Sequence, residues 1–275
     1  MNNVQWWCFA QGTRWSWSWR AYPGVWLFVL LVGALVWRAT SHAQRQPPPS
    51  ARNTSRAVMA WSGVAILWLV LDWPIGPLAA GYLLWLHALQ FLLIAFVVAP
   101  LLVRGMSSSA QAGEAIVKAT GFRRAWQVAL RATQEPVAAA IVFNVVVVAT
   151  HAPSIVDSWM TSAIGAFTID AAWLVAGVLF WRPVFVAPPG RRRLNAPMTM
   201  LYLILGTLFH TVIAMVMLVR EFPMYAVYEL APPSFGMTAM TDQQLAGGIM
   251  ELGGAAIIIG YLTVLFFRWA ARDAG

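Results

Sequence analysis

Three histidines, His87, His151 and His210, lie in or at the ends of three separate apolar segments of the chain. The acidic residues Asp157, Asp170, Asp242 and Glu251 fall in the same two-thirds of the sequence, and Gln243 and Gln244 follow Asp242 directly. Met215, Met217, Met224, Met237 and Met240 gather near the last histidine. Imidazole suits Cu(I) or Cu(II) and thioether sulfur selects Cu(I), so these donors are of the kinds that hold copper transiently. The same residues have a plainer use: in a membrane, His bridges helices by hydrogen bonds and Met packs or meets lipid. Both readings stand on residue type alone.

Glu251 and Asp170 are more informative, because each sits inside an apolar run. A charge at the centre of a membrane helix costs roughly 2.5–3.5 kcal/mol on the insertion scale, so each must be paired, protonated or turned to a polar cavity. His210 and Arg220 are the partners expected for Glu251. Paired carboxylates of this kind also fix helix register without any metal. The signatures of zinc hydrolases, serine hydrolases and P-loop enzymes are absent, and no enzymatic activity is expected. One cysteine, Cys8, leaves no internal disulfide and no Cys cluster.

Helices must position these groups. The chain has 275 residues, 60% hydrophobic and 10% charged, with mean hydropathy +0.67. Soluble domains carry about 25% charged residues, so this is an all-α, polytopic integral membrane protein. Seven apolar segments are predicted, at about Gly24–Trp37, Ala57–Leu71, Leu78–Val103, Pro136–Thr150, Met160–Trp181, Pro197–Leu218 and Thr241–Arg268. The first twenty residues are rich in Trp, as at a membrane interface. The segment from Arg104 to Arg131 reads as a polar loop with a short surface helix. Residues 1–56 form a Trp-rich start, a first helix and a basic linker holding Pro47, Pro48 and Pro49; residues 57–275 form the main bundle.

Fifteen of the eighteen Lys and Arg residues fall on one side of this topology. The positive-inside rule then puts the N-terminus outside and the C-terminus in the cytoplasm. Arg191-Arg192-Arg193 reads as a topology determinant and a contact for lipid headgroups, so the net charge of +8 implies no nucleic-acid partner. Arg14, Arg20 and the first apolar run loosely resemble a signal peptide, but Arg38 and the basic linker oppose cleavage. On this topology His87 lies about nine residues, roughly 13 Å, into the third helix. His151 and His210 fall in the outer half, Glu251 about two turns below the outer surface, and Asp170 near mid-depth. Asp157 and Asp242 fall in outer loops. The polar groups therefore concentrate on the outer face.

Four stretches resemble the CtaG-like assembly factors of caa-type cytochrome c oxidases. They are Asp242-Gln243-Gln244-Leu245-Ala246-Gly247, His87-Ala88-Leu89-Gln90 running into Ala99-Pro100-Leu101-Leu102, His151-Ala152-Pro153-Ser154-Ile155-Val156-Asp157, and Gly177-Val178-Leu179-Phe180-Trp181-Arg182-Pro183. Together they cover about Leu78 to Ala271. Asp170 stands where the family pattern suggests a His, and Thr150 where it suggests a Trp. The resemblance implies a multi-pass protein of the bacterial inner membrane that acts with cytochrome c oxidase subunits and assists delivery of copper to the oxidase. His87, His151 and His210 are the ligands expected. Two rivals are a metal-free accessory subunit of a respiratory complex and a copper or small-solute transporter using Glu251 and Asp170.

Overall fold

A computed structural model describes residues 4–44, 51–107, 135–186, 193–233 and 235–273. Among them every regular element is helical apart from one bridge pairing Val4 with Ala21. The helices are α1 (Pro23–Gln44), α2 (Ala51–Leu71), α3 (Ile75–Gly81), α4 (Leu84–Met106), α5 (Pro136–Thr150), α6 (Pro153–Trp159), α7 (Ala163–Phe185), α8 (Ala196–Gly206), α9 (Leu208–Val219), α10 (Ala226–Glu229) and α11 (Ala239–Arg272). Six spans are long and apolar enough to cross a membrane, α8 and α9 making one of them, or seven if the bent pair α5 and α6 is a single span. The all-α, multi-pass expectation holds. The proline run, the polar loop with Lys118, Arg123 and Arg124, and Arg191 and Arg192 lie outside the described residues.

Several boundaries differ from the expected ones. The first two helices are longer than their apolar runs, because basic residues continue the helix past the apolar core and can snorkel. The third segment breaks at Tyr82 and Leu83, where Tyr82 leaves the helical conformation and Leu83 is extended, separating α3 from α4. His87 therefore sits in the first turn of α4, much shallower than a helix from Leu78 would place it. The fifth helix starts at Ala163, and Ser162 caps it by accepting from Gly165 N at 3.0 Å.

α4 is the hub. Its most apolar window is 78% buried, against 17% for α11, so α4 is surrounded by protein while α11 shows most of its length to lipid. Gly177 lets α7 lie close on α4, since a Cβ there would meet Ala99 Cβ at 2.9 Å. The interior is aromatic: Phe91, Phe96, Phe143, Phe180, Trp173 and Trp181 are fully buried. Two π-helical turns interrupt the spans, Leu93–Val98 in α4 and Ile249–Gly253 in α11, and such turns re-aim the side chains around them.

The N-terminal segment is more than an interfacial belt. Ala10 N donates to Met160 O at 2.8 Å, and Tyr82 Oη to Thr13 O at 2.7 Å. Trp7 and Cys8 are buried beneath it. This segment, with the loops after α2, α5 and α9, closes one end of the bundle. The other end carries the arginines.

Candidate metal site

The closed end is built by long-range hydrogen bonds. Asp242 accepts from Leu84 N at 2.7 Å and from Trp85 N at 2.9 Å, so a carboxylate on α11 caps the start of α4. The bonds satisfy orphan donors at the helix start and put negative charge at its positive end. Gln243 accepts from Met224 N at 2.6 Å and donates to Met217 O at 3.3 Å, fixing the loop that follows α9. Gln244 is exposed. Asp157 accepts from Val227 N at 3.0 Å and holds the start of α10. Tyr225 and Tyr228 then reach inward, donating to His151 O at 2.9 Å and Ala79 O at 2.7 Å.

Asp170 has a partner that the sequence did not suggest. Trp7 Nε1 donates to Asp170 Oδ2 at 2.8 Å, and both residues are buried. The carboxylate is thus engaged by the N-terminal segment. Glu251 lies in the π turn of α11, and its Oε2 has no hydrogen-bond partner among the described residues. That oxygen makes no hydrogen bond to His210, one of the two expected partners. Arg220, the other, is exposed at the end of α9.

Two of the three imidazoles come together. His87 and His151 line a cavity of ≈ 10 Å³ with Met217, Met250 and Tyr225. That volume suits roughly one water-sized occupant. His151 Nδ1 lies 2.8 Å from Val147 O, an acceptor, so Nδ1 carries the proton and Nε2 keeps its lone pair. Trp173 packs against both rings, 4.8 Å from His87 and 5.9 Å from His151 by centroids. Its indole N–H donates to Thr150 Oγ1 at 2.9 Å, which gives Thr150 a positioning role. His87 is 4% exposed, and neither of its ring nitrogens has a hydrogen-bond partner among the described residues. Buried polar atoms are nearly always bonded, so an imidazole orphaned at both nitrogens calls for an explanation.

His210 does not line that cavity. It lies among Phe91, Phe96 and the backbone of Gly254, where an added Cβ would fall inside contact distance of its ring. Among the described residues no three His, Cys, Asp or Glu side chains are grouped to hold a metal ion. The cavity therefore brings together two of the three expected histidines with two methionines. Met217 was recognisable from sequence as one of the methionines near the last histidine. Met250 was not, because the π turn that aims it has no signature beyond the flanking Gly247-Gly248 and Gly253-Gly254 pairs.

The chain matches no curated protein and no solved structure. A family model, that of the cytochrome c oxidase caa3 assembly factor (CtaG), matches residues 26–272. The match reaches further toward the N-terminus than the four motifs did. Trp7, the partner of Asp170, lies before the matched residues. Nearly the whole membrane bundle is covered, and the chain belongs to the cytochrome c oxidase caa3 assembly factor family.

Proposed function

We propose that this protein assists maturation of a caa3-type oxidase in the bacterial inner membrane by holding one copper ion, as cargo, between His87, His151, Met217 and Met250. The observation that carries the reading is the buried His87 ring, unpartnered at both nitrogens and sharing a one-occupant cavity with a second imidazole and two thioethers. Thioethers with imidazole favour Cu(I). With the N-terminus outside, the site lies beneath the end of the bundle that faces the compartment where the oxidase copper centre is assembled, and the oxidase subunits are the partners. No catalytic turnover is needed.

Titration of purified protein with Cu(I) against a chromophoric chelator tests this. About one Cu(I) per chain is expected, lost in His87→Ala and in a Met217→Leu/Met250→Leu pair. His210→Ala should keep it. Full occupancy in the first two variants would overturn the site.

A metal-free accessory subunit is the second reading, and the engagement of the Asp170 carboxylate by Trp7, which gives it a structural rather than a ligating role, favours it. Copper-free co-purification with the oxidase at fixed stoichiometry would support that role instead.

A further inference from the structure

The opposite end of the bundle holds a second and much larger cavity, ≈ 800 Å³, between the ends of α2, α4, α7, α8 and α11. Five arginines line it, Arg56, Arg104, Arg193, Arg268 and Arg272, and no carboxylate does so among the described residues. Two of them are held in place. Arg193 Nη2 donates to Val184 O at 2.6 Å, and the Arg104 guanidinium lies 5.7 Å from the Phe185 ring centroid. Partial burial, and then the charge of Arg104, lower the proton affinity of Arg193. Like charges gathered in a recess repel, and an anion between them removes that cost.

The cavity also has a second chemistry. Val264 stands one turn before Arg268, and Tyr261 one turn before that, so the wall deepens from cationic to apolar along α11. Leu203 and Phe185 face the same space. A cationic rim over an apolar wall matches a phosphate with acyl chains attached. The volume is in the range of sites for whole ligands and far exceeds a free phosphate ion. Guanidinium groups are the side chains best suited to bidentate phosphate contact.

We infer that this cavity binds the phosphate headgroup of an anionic phospholipid, with its acyl chains running along the apolar wall. The site is independent of the copper cavity, and its ligand belongs to the leaflet at the arginine end. Basic pockets between spans are a known form of lipid recognition.

The experiment uses the full chain in detergent, supplied in parallel with phosphatidylglycerol, phosphatidylcholine or inorganic phosphate, with native mass spectrometry and thermal melting as readouts. One phosphatidylglycerol should stay bound per chain and raise the melting temperature, whereas phosphatidylcholine and phosphate should do neither. Arg104→Gln/Arg268→Gln should weaken retention by at least about tenfold. Arg220→Gln, which removes the same kind of charge at the other end, should leave it intact. Equal retention of the two lipids by the unmodified protein, or unchanged retention by the double variant, would overturn the assignment. Stabilisation by phosphate alone, with no lipid retained, would overturn the lipid as source. Should the double variant fail to fold, the comparison of the two lipids on the unmodified protein still decides.

Discussion

The two ends of this bundle are built on opposite terms. At the tryptophan end four polar side chains are each engaged by a distant stretch of chain: Asp242 with the start of α4, Gln243 with the loop after α9, Asp157 with α10, Asp170 with Trp7. The cavity enclosed there is ≈ 10 Å³. At the arginine end, exposed basic side chains surround ≈ 800 Å³ of open space. The difference teaches where polar residues hold the fold and where charge instead gathers around open space. In the first region a substitution removes a bond that the fold uses. In the second most of the charge sits on exposed side chains, where a substitution is expected to cost the fold little.

That contrast can be broken most readily at Asp242. Asp242→Ala leaves two backbone N–H groups at the start of α4 without their acceptors, and a loss of roughly 2–4 kcal/mol is expected. Asp242→Asn keeps one oxygen acceptor and should lose about half as much. Thermal melting in detergent measures both, and unchanged melting of the alanine variant would show that the closed end is not held by this bond.

Gly254→Ala comes next. The new methyl would press on the His210 ring, with an expected cost of about 1–3 kcal/mol from overpacking. Because His210 stands outside the two-His, two-Met cavity, Cu(I) stoichiometry should survive in the folded fraction. Loss of copper without loss of stability would return His210 to the site.

Cys8 reports on the N-terminal cap. Burial first, then the charges of Asp170 and Asp72, raise its thiol well above the usual range. A raised thiol pKa means less thiolate at pH 8, so alkylation of the folded protein should be much slower than that of a free thiol. Asp170→Leu removes the acceptor for Trp7 and one of those charges, and both changes should speed the reaction. An unchanged rate would mean that the Trp7 bond does not hold the cap.

The smallest effect is expected at the arginine end. Arg272→Gln should alter stability by no more than about 0.5 kcal/mol, as surface changes do. A larger drop in melting, measured without added lipid, would show that the arginines support the fold itself and would weaken the contrast.

The candidate site was legible in part. His87, His151 and Met217 stood out by residue type within apolar surroundings, and the depth argument put them on one side of the bundle. His210 does not line the cavity with them, because adjacent depth along two helices does not fix rotation, and α9 turns that ring toward Phe96 and Gly254. The expected pairing of Asp170 within the bundle failed for another reason. Its partner Trp7 is 163 residues away in a segment with no periodicity to read.

What the sequence determined by itself was the kind of spans and their approximate number, the clustering of arginines at alternate helix ends, and the family, because hydropathy, charge and local motifs leave their pattern in the chain. The tertiary structure alone decided which side chains share a cavity. That choice depends on a break at Tyr82 and Leu83 stabilised by a carboxylate from α11, and on a π turn that aims Met250. Both arise where one helix meets another, and neither is encoded in the residues of a single helix.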